Sequence, residues 1–171
     1  RRALRRLPLQ SSREEERGLA AGLDIRDARG HGGRCELDTA HRHGLRGLLT
    51  DRLFAPASLD DPKRREKLDA LILRVSRHPA LYAYHLTDEP NAAQFPALGR
   101  LVAHLRERDP AHLAYINLFP TYASNEQLGN KGDVVTAYKE HLLLFIEQVK
   151  PALFSYDHYQ FALKGDNDQY F

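Results

Sequence analysis

Four short apolar runs recur along the chain, and each ends in polar residues. Leu45–Thr50 (LRGLLT) ends at Asp51, and Leu81–Leu86 (LYAYHL) ends at Thr87-Asp88-Glu89-Pro90. Leu113–Leu118 (LAYINL) runs into Phe119-Pro120, and Ala152–Tyr156 (ALFSY) into Asp157-His158-Tyr159. Their starts lie 36, 32 and 39 residues apart. Runs this short and this apolar are the pattern of strands buried on both faces. Between them the apolar spacing changes to that of a helix. Asp61–Arg77 carries Leu68, Leu71, Leu73 and Val75; Asn91–Arg108 carries Phe95, Leu98, Leu101, Val102 and Leu105; Ala137–Val149 carries Leu142, Phe145, Ile146 and Val149. Pro90 stands just before the second pattern and Pro151 just after the third, as start and stop signals.

Strand, helix, strand at this period predicts an α/β fold with a parallel sheet. Two architectures compete. A closed eight-fold barrel needs about 250 residues; an open doubly wound sheet fits a shorter chain. The amino-terminal segment, residues 1–34, reads differently. Arg1, Arg2, Arg5, Arg6, Arg13 and Arg17 stand against Glu14, Glu15 and Glu16, as in a solvated helix or a frayed arm. Asp27–Arg34 contains Gly30, Gly32 and Gly33 and reads as a loop, without the spacing of a phosphate-binding loop. Leu19–Ile25 is a candidate for a disguised strand. Residues 35–171 form the βα-repeat portion.

Composition narrows the function classes. The 171 residues carry 25 Lys and Arg against 23 Asp and Glu, a net charge of +2, and are 42% hydrophobic. That is too balanced for a protein that coats nucleic acid, and too apolar for a chain disordered throughout. No stretch of roughly 18 apolar residues predicts a membrane span, and Arg1–Gln10 holds no apolar run of the roughly 7–15 residues a secretory signal needs. The single cysteine, Cys35, excludes an intrachain disulfide and a multi-cysteine zinc site. There is no Met, even at position 1, so the chain reads as a processed product, an excised piece or part of a longer gene. There is no Trp to stack on a sugar; Tyr84, Tyr122, Tyr156 and Tyr159 are the candidate flat faces.

In either architecture ligands bind at the carboxyl ends of the strands. Those ends carry Asp51, then His85, Asp88 and Glu89, then Asn117, then Asp157, His158 and Tyr159. Each has a bland reading: Asp88 as a helix cap, Asn117 as a turn residue, His85 as a satisfied histidine in the sheet. Folding does not require polar groups at the same end of every strand, so their convergence on one rim points to a site. Glu89 is the sharpest candidate. A half-enclosed carboxyl beside a second carboxylate has its pKa raised, and then delivers a proton to a leaving group near neutral pH. Cleavage of a glycosidic bond needs such an acid.

The run Tyr82-Ala83-Tyr84-His85-Leu86-Thr87-Asp88-Glu89-Pro90 resembles the fourth-strand end of the clan A glycoside hydrolases, which are (β/α)8 barrels and commonly show Asn-Glu-Pro or Asp-Glu-Pro there. Tyr115-Ile116-Asn117-Leu118-Phe119-Pro120 and Phe154-Ser155-Tyr156-Asp157-His158-Tyr159 resemble the fifth- and sixth-strand ends of bacterial barrels near the family 42 β-galactosidases. The resemblance covers roughly Asp38 to Phe171. It implies a partial TIM barrel, strands 2/3 to 6, and retaining hydrolysis of a β-linked sugar without cofactor or metal. Glu89 would be the general acid/base. Asp51, His85, Asp88, Asn117, Asp157, His158 and Tyr159 would hold the carbohydrate. Asp88 stands where the clan usually has Asn. The clan's nucleophile, a Glu ending strand seven, would lie beyond Phe171, with Asp51 and Asp157 as the strand-end stand-ins. An open barrel of this kind would expose strand edges and self-associate; nucleic acid and membrane are not expected partners. The alternatives are a degenerate barrel that binds carbohydrate without cleaving it, a metal-dependent barrel hydrolase or isomerase using His85, Asp88, Asp157 and His158, and a redox role for Cys35 beside Arg34.

Overall fold

A computed structural model describes residues 32–159, 161–162 and 165–166. The Arg-rich start, the candidate strand Leu19–Ile25 and the first part of the Gly-rich loop lie outside the described residues. The elements run α1 (Gly32–Arg42), β1 (Gly47–Thr50), α2 (Ala57–Asp60), α3 (Pro62–Val75), β2 (Leu81–Asp88), a 3-10 turn (Ala92–Gln94), α4 (Phe95–Arg108), β3 (Leu113–Leu118), α5 (Asn125–Leu128), α6 (Val134–Val149) and β4 (Ser155–Tyr156). A two-residue pair follows, β5 (Phe161–Ala162) antiparallel to β6 (Gly165–Asp166). The fold is α/β. Its four-stranded sheet has the order β1-β2-β3-β4, and every neighbouring pair is parallel. Among the described residues no helix is long and apolar enough to cross a membrane.

The helices start and stop where local chemistry fixes them. Asp61 caps α3 by accepting from the amides of Lys63 and Arg64, and Pro62 fills the first helical position, where no amide partner is needed. Asp133 caps α6 on the amides of Val135 and Thr136. That cap starts the helix at Val134, three residues ahead of the expected Ala137. Lys150 ends it in the left-handed conformation (φ 53°), and Pro151 bars continuation. Gly32, Gly33 and Arg34 belong to α1 and not to a loop, a correction to the reading of Asp27–Arg34. Leu37 of that helix is buried in the core, which offsets the helix cost of its glycines.

Two buried clusters hold the helices to one face of the sheet. The first joins Leu37, Leu49, Phe54, Leu68, Leu71, Ile72, Val75, Leu81, Tyr84, Leu101 and Leu105. The second joins Phe95, Leu98, Val102, Ile116, Leu118, Phe145 and Val149. α1, α3, α4 and α6 all contribute, so the described long helices share one side. Leu73 and Ile146, expected in the core, are exposed: Ile72 takes the inward place in α3, and Ile146 lies off the Ala137–His141–Phe145–Val149 stripe. β1 is shorter than its apolar run, with Leu45 exposed before it. β4 is only Ser155–Tyr156, because Leu153 and Phe154 lie outside the ladder and are exposed.

α4 and α6 touch backbone to backbone. A Cβ at Gly99 would land on the carbonyl oxygen of Gln148, so only glycine permits this approach. Phe95 then meets Phe145 at 5.3 Å between ring centres. Gly99→Ala must push the helices apart and is expected to cost about 1–3 kcal/mol, read as a lowered urea midpoint. A variant as stable as the parent would show that this contact is looser than described.

Candidate active site

What stands at the end of β2 is set by one extra residue. His85 pairs with Tyr115, but the next pair is Thr87 with Ile116, so Leu86 has no partner on β3. This bulge changes which residue faces which way. Tyr84 and Leu86 pack on the helix side, whereas His85 turns to the opposite face, 5.6 Å from the Tyr115 ring and 3.5 Å from the Thr50 hydroxyl. With strict alternation Thr87 would be the next residue on that face. The bulge puts Asp88 there instead, paired with Asn117. Asn117 Nδ2 donates to Asp88 Oδ1 at 3.0 Å.

Glu89 follows immediately. Its amide donates to the Asn117 carbonyl at 2.8 Å, continuing the ladder past the strand. Its φ is +46°, a left-handed conformation that a residue with a side chain reaches at a cost of about 1–2 kcal/mol. The next residue, Pro90, favours an extended predecessor, which adds to that cost. The surroundings hold the turn in place. Pro90 is buried. Asn91 caps the 3-10 turn, accepting from the Ala93 amide while its own amide donates to Gln94. Asn91 Nδ2 also donates to the carbonyls of Glu126 and Gln127, both at 3.0 Å, tying the turn to α5. Backbone strain held in place by such contacts is a mark of functional sites.

The Glu89 carboxyl is half-buried, and that burial holds its pKa above the ordinary carboxylate range. The charge of Asp88 raises it further, and that of Asp157 adds to both. β4 brings Asp157 within range because the Asp157 amide donates to the Leu118 carbonyl at 3.1 Å. An aromatic rim stands beside the carboxylates. Tyr159 donates through its hydroxyl to Asp157 Oδ2 at 3.3 Å, and its amide donates to the Tyr122 hydroxyl at 3.3 Å. The Asp157 charge pushes the Tyr159 phenol pKa up. His158 meets the Tyr122 ring edge-on at 5.9 Å. Tyr122, Tyr156 and Tyr159 are exposed.

The geometry thus gathers Asp88, Glu89, Asn117, Asp157, His158 and Tyr159 at one end of the sheet, with His85 one step deeper on the same face. Asp51 follows Thr50, the partner of His85, at the carboxyl end of β1; its carboxylate accepts from the Leu53 amide at 2.8 Å and closes the turn there. Tyr84 offers no face to a ligand, which corrects the expectation placed on it. It is fully buried under Phe54 on the helix side, and its hydroxyl donates to Asp109. Asp109 also binds His112 Nδ1 at 2.8 Å, so this group braces the opposite end of the sheet. Cys35 is exposed on α1. Among the described residues no group of three or more His, Cys, Asp or Glu side chains is arranged to hold a metal ion. Ser155 and Tyr115 were not among the expected site residues. Position parity was the available signal, since Tyr115 and Asn117 are two apart on one strand.

Two stability measurements follow from this geometry. With the folded-state pKa of Glu89 above its unfolded value, the unfolded chain loses the proton first as pH rises, and the carboxyl then disfavours the fold. Glu89→Gln is therefore expected to melt above the parent at neutral pH. The gap should close at or below about pH 4, where the unfolded carboxyl is itself protonated. A gap independent of pH in thermal scans would contradict the assignment. Glu89→Gly relieves the left-handed strain and is expected to gain roughly 0.5–1 kcal/mol in urea denaturation, where a loss would show that the side chain stabilises the fold.

No protein-family model matches the chain, and no curated protein matches it.

Proposed function

We propose that the chain carries the acid/base half of a retaining glycoside hydrolase acting on a β-linked sugar, built on part of a (β/α)8 barrel. The single observation that carries the reading is the Glu89 carboxyl, held in a strained turn at a strand end between Asp88 and Asp157, with its proton affinity raised. The sheet supports the barrel. Its strands follow chain order without the reversal of a doubly wound sheet, and the described long helices cover one face. In a barrel the other face, with His85, Tyr115 and Asn117, turns inward.

In the first step Glu89 gives its proton to the glycosidic oxygen as the bond from that oxygen to the anomeric carbon breaks. A carboxylate on the opposite face of the sugar bonds to the anomeric carbon. In the second step the Glu89 carboxylate takes a proton from water as the water oxygen displaces that carboxylate. The retaining geometry needs the two carboxyls about 5–5.5 Å apart. Asp157 is the carboxylate outside the Asp-Glu step that acts on Glu89. The exposed rings of Tyr122 and Tyr159 flank the carboxylates as surfaces for the apolar face of a sugar.

Activated aryl β-glycosides test the reading on a protein that joins this half to the nucleophile it needs. Hydrolysis is expected, with kcat/KM lower by about 10²–10⁴ in Glu89→Gln. Equal activity in the variant would overturn the assignment. Saccharide binding by calorimetry that persists in Glu89→Gln, with no hydrolysis by the parent, would favour a binding groove in place of an enzyme.

A further inference from the structure

Asp88 is fixed by a longer chain of hydrogen bonds than the Asp-Glu step itself contains. Asn117 Nδ2 donates to Asp88 Oδ1 at 3.0 Å. The other end of that amide, Asn117 Oδ1, accepts from the Ser155 hydroxyl at 2.8 Å. The Ser155 oxygen in turn lies 2.8 Å from the Tyr115 hydroxyl. Ser155 has a single proton, and it is spent on Asn117. The Tyr115 hydroxyl must therefore be the donor to Ser155. The polarity of the whole chain is then set: Tyr115 to Ser155, Ser155 to Asn117, Asn117 to Asp88. Each member comes from the same face of the sheet, and the order crosses from β3 to β4, back to β3 and then to β2. Asn117 is buried, and Tyr115 and Ser155 are partly buried, so water competes weakly for the bonds among these three, whereas Asp88 at the end of the chain is exposed.

We propose that Ser155, backed by Tyr115, is a positioning residue for the Asp88–Glu89 pair. Its hydroxyl locks the Asn117 amide in the one orientation that offers N–H, and not C=O, to Asp88. A carboxylate can only accept, so the locked amide gives Asp88 a donor and holds it against the strand end. The charge of Asp88, so fixed, adds to the burial that raises the pKa of Glu89. Without Ser155 the amide is free to turn over and point its carbonyl at the Asp88 carboxylate, two acceptors that repel. The inference takes Glu89 as the proton carrier and in that respect rests on the proposed function. The groups facing the pair are Asn117 from β3 and Asp157 and Tyr159 from the segment after β4, with His85 below on β2.

The experiment follows the two carboxyls separately, by carbon-13 NMR of the labelled full chain through the carboxylate range. Ser155→Ala is expected to move them in opposite directions. Asp88 titrates higher, and Glu89 lower by about half a pH unit or more. Ser155→Thr, which keeps the hydroxyl and suits a strand, restores both. Tyr115→Phe gives a smaller shift of the same sign and serves if Ser155→Ala does not fold. General loosening of the fold would not raise one neighbour and lower the other. Unchanged midpoints in a folded Ser155→Ala, or in Tyr115→Phe when that is the variant that folds, overturn the relay. Opposed shifts in a protein that cleaves no glycoside sustain the relay and remove the glycosidase reading. Activity lost without a shift overturns the relay and leaves Glu89 as the acid.

Discussion

The candidate site depends on the register between β2 and β3. Three residues of the Thr87-Asp88-Glu89 step could in principle meet Asn117, and the unpaired Leu86 selects Asp88. From that choice follow the hydrogen bond to Asn117, the position of the Glu89 amide on the Asn117 carbonyl, and the left-handed turn into Pro90. A bulge in the interior of a parallel sheet forfeits regular pairing. Here its position is set by packing, because Tyr84 and Leu86 both reach the helix-side core. The apolar contacts on one face thus fix the polar arrangement on the other.

The two ends of the sheet solve opposite problems. At the amino end, Asp109 is buried and receives Tyr84 and His112, with the Ala111 amide at 3.2 Å on its second oxygen. A carboxylate with its acceptor sites filled is stable in place. At the carboxyl end, Glu89 sits with two other carboxylates, and proton uptake relieves the repulsion. The same chemical group, a carboxyl, is a brace in one place and has its proton affinity raised in the other, and the difference lies in the partners supplied.

Much of the fold was legible because the apolar period changes cleanly between strands and helices. The parallel sheet, the three long helices and the Pro90 and Pro151 boundaries came from spacing and turn chemistry alone. The strand ends were also legible as a group, since polar residues follow each apolar run. Facing was not. LYAYHL gives no sign that Tyr84 looks toward the helices and His85 away from them, because both are polar aromatics in an apolar run, and the bulge that follows and sets Asp88 is a property of two strands together. Ser155 was hidden for a related reason: an unremarkable hydroxyl gains its role only from the Asn117 and Tyr115 that the sheet brings beside it. Leu153 and Phe154, exposed and outside the ladder, leave β4 shorter than its apolar run suggested.

Asn91 has a mechanical consequence. One side chain grips the carbonyls of Glu126 and Gln127 in α5, and it stands two residues from Glu89. Gly129 ends α5 in the left-handed conformation hard against that same side chain, leaving no room for a bulkier residue. The loop between β3 and α6 is therefore geared to the turn bearing Glu89. Any displacement of that loop, whether by a molecule wedging under it or by thermal motion, is transmitted through a few covalent bonds to the peptide from which Glu89 projects.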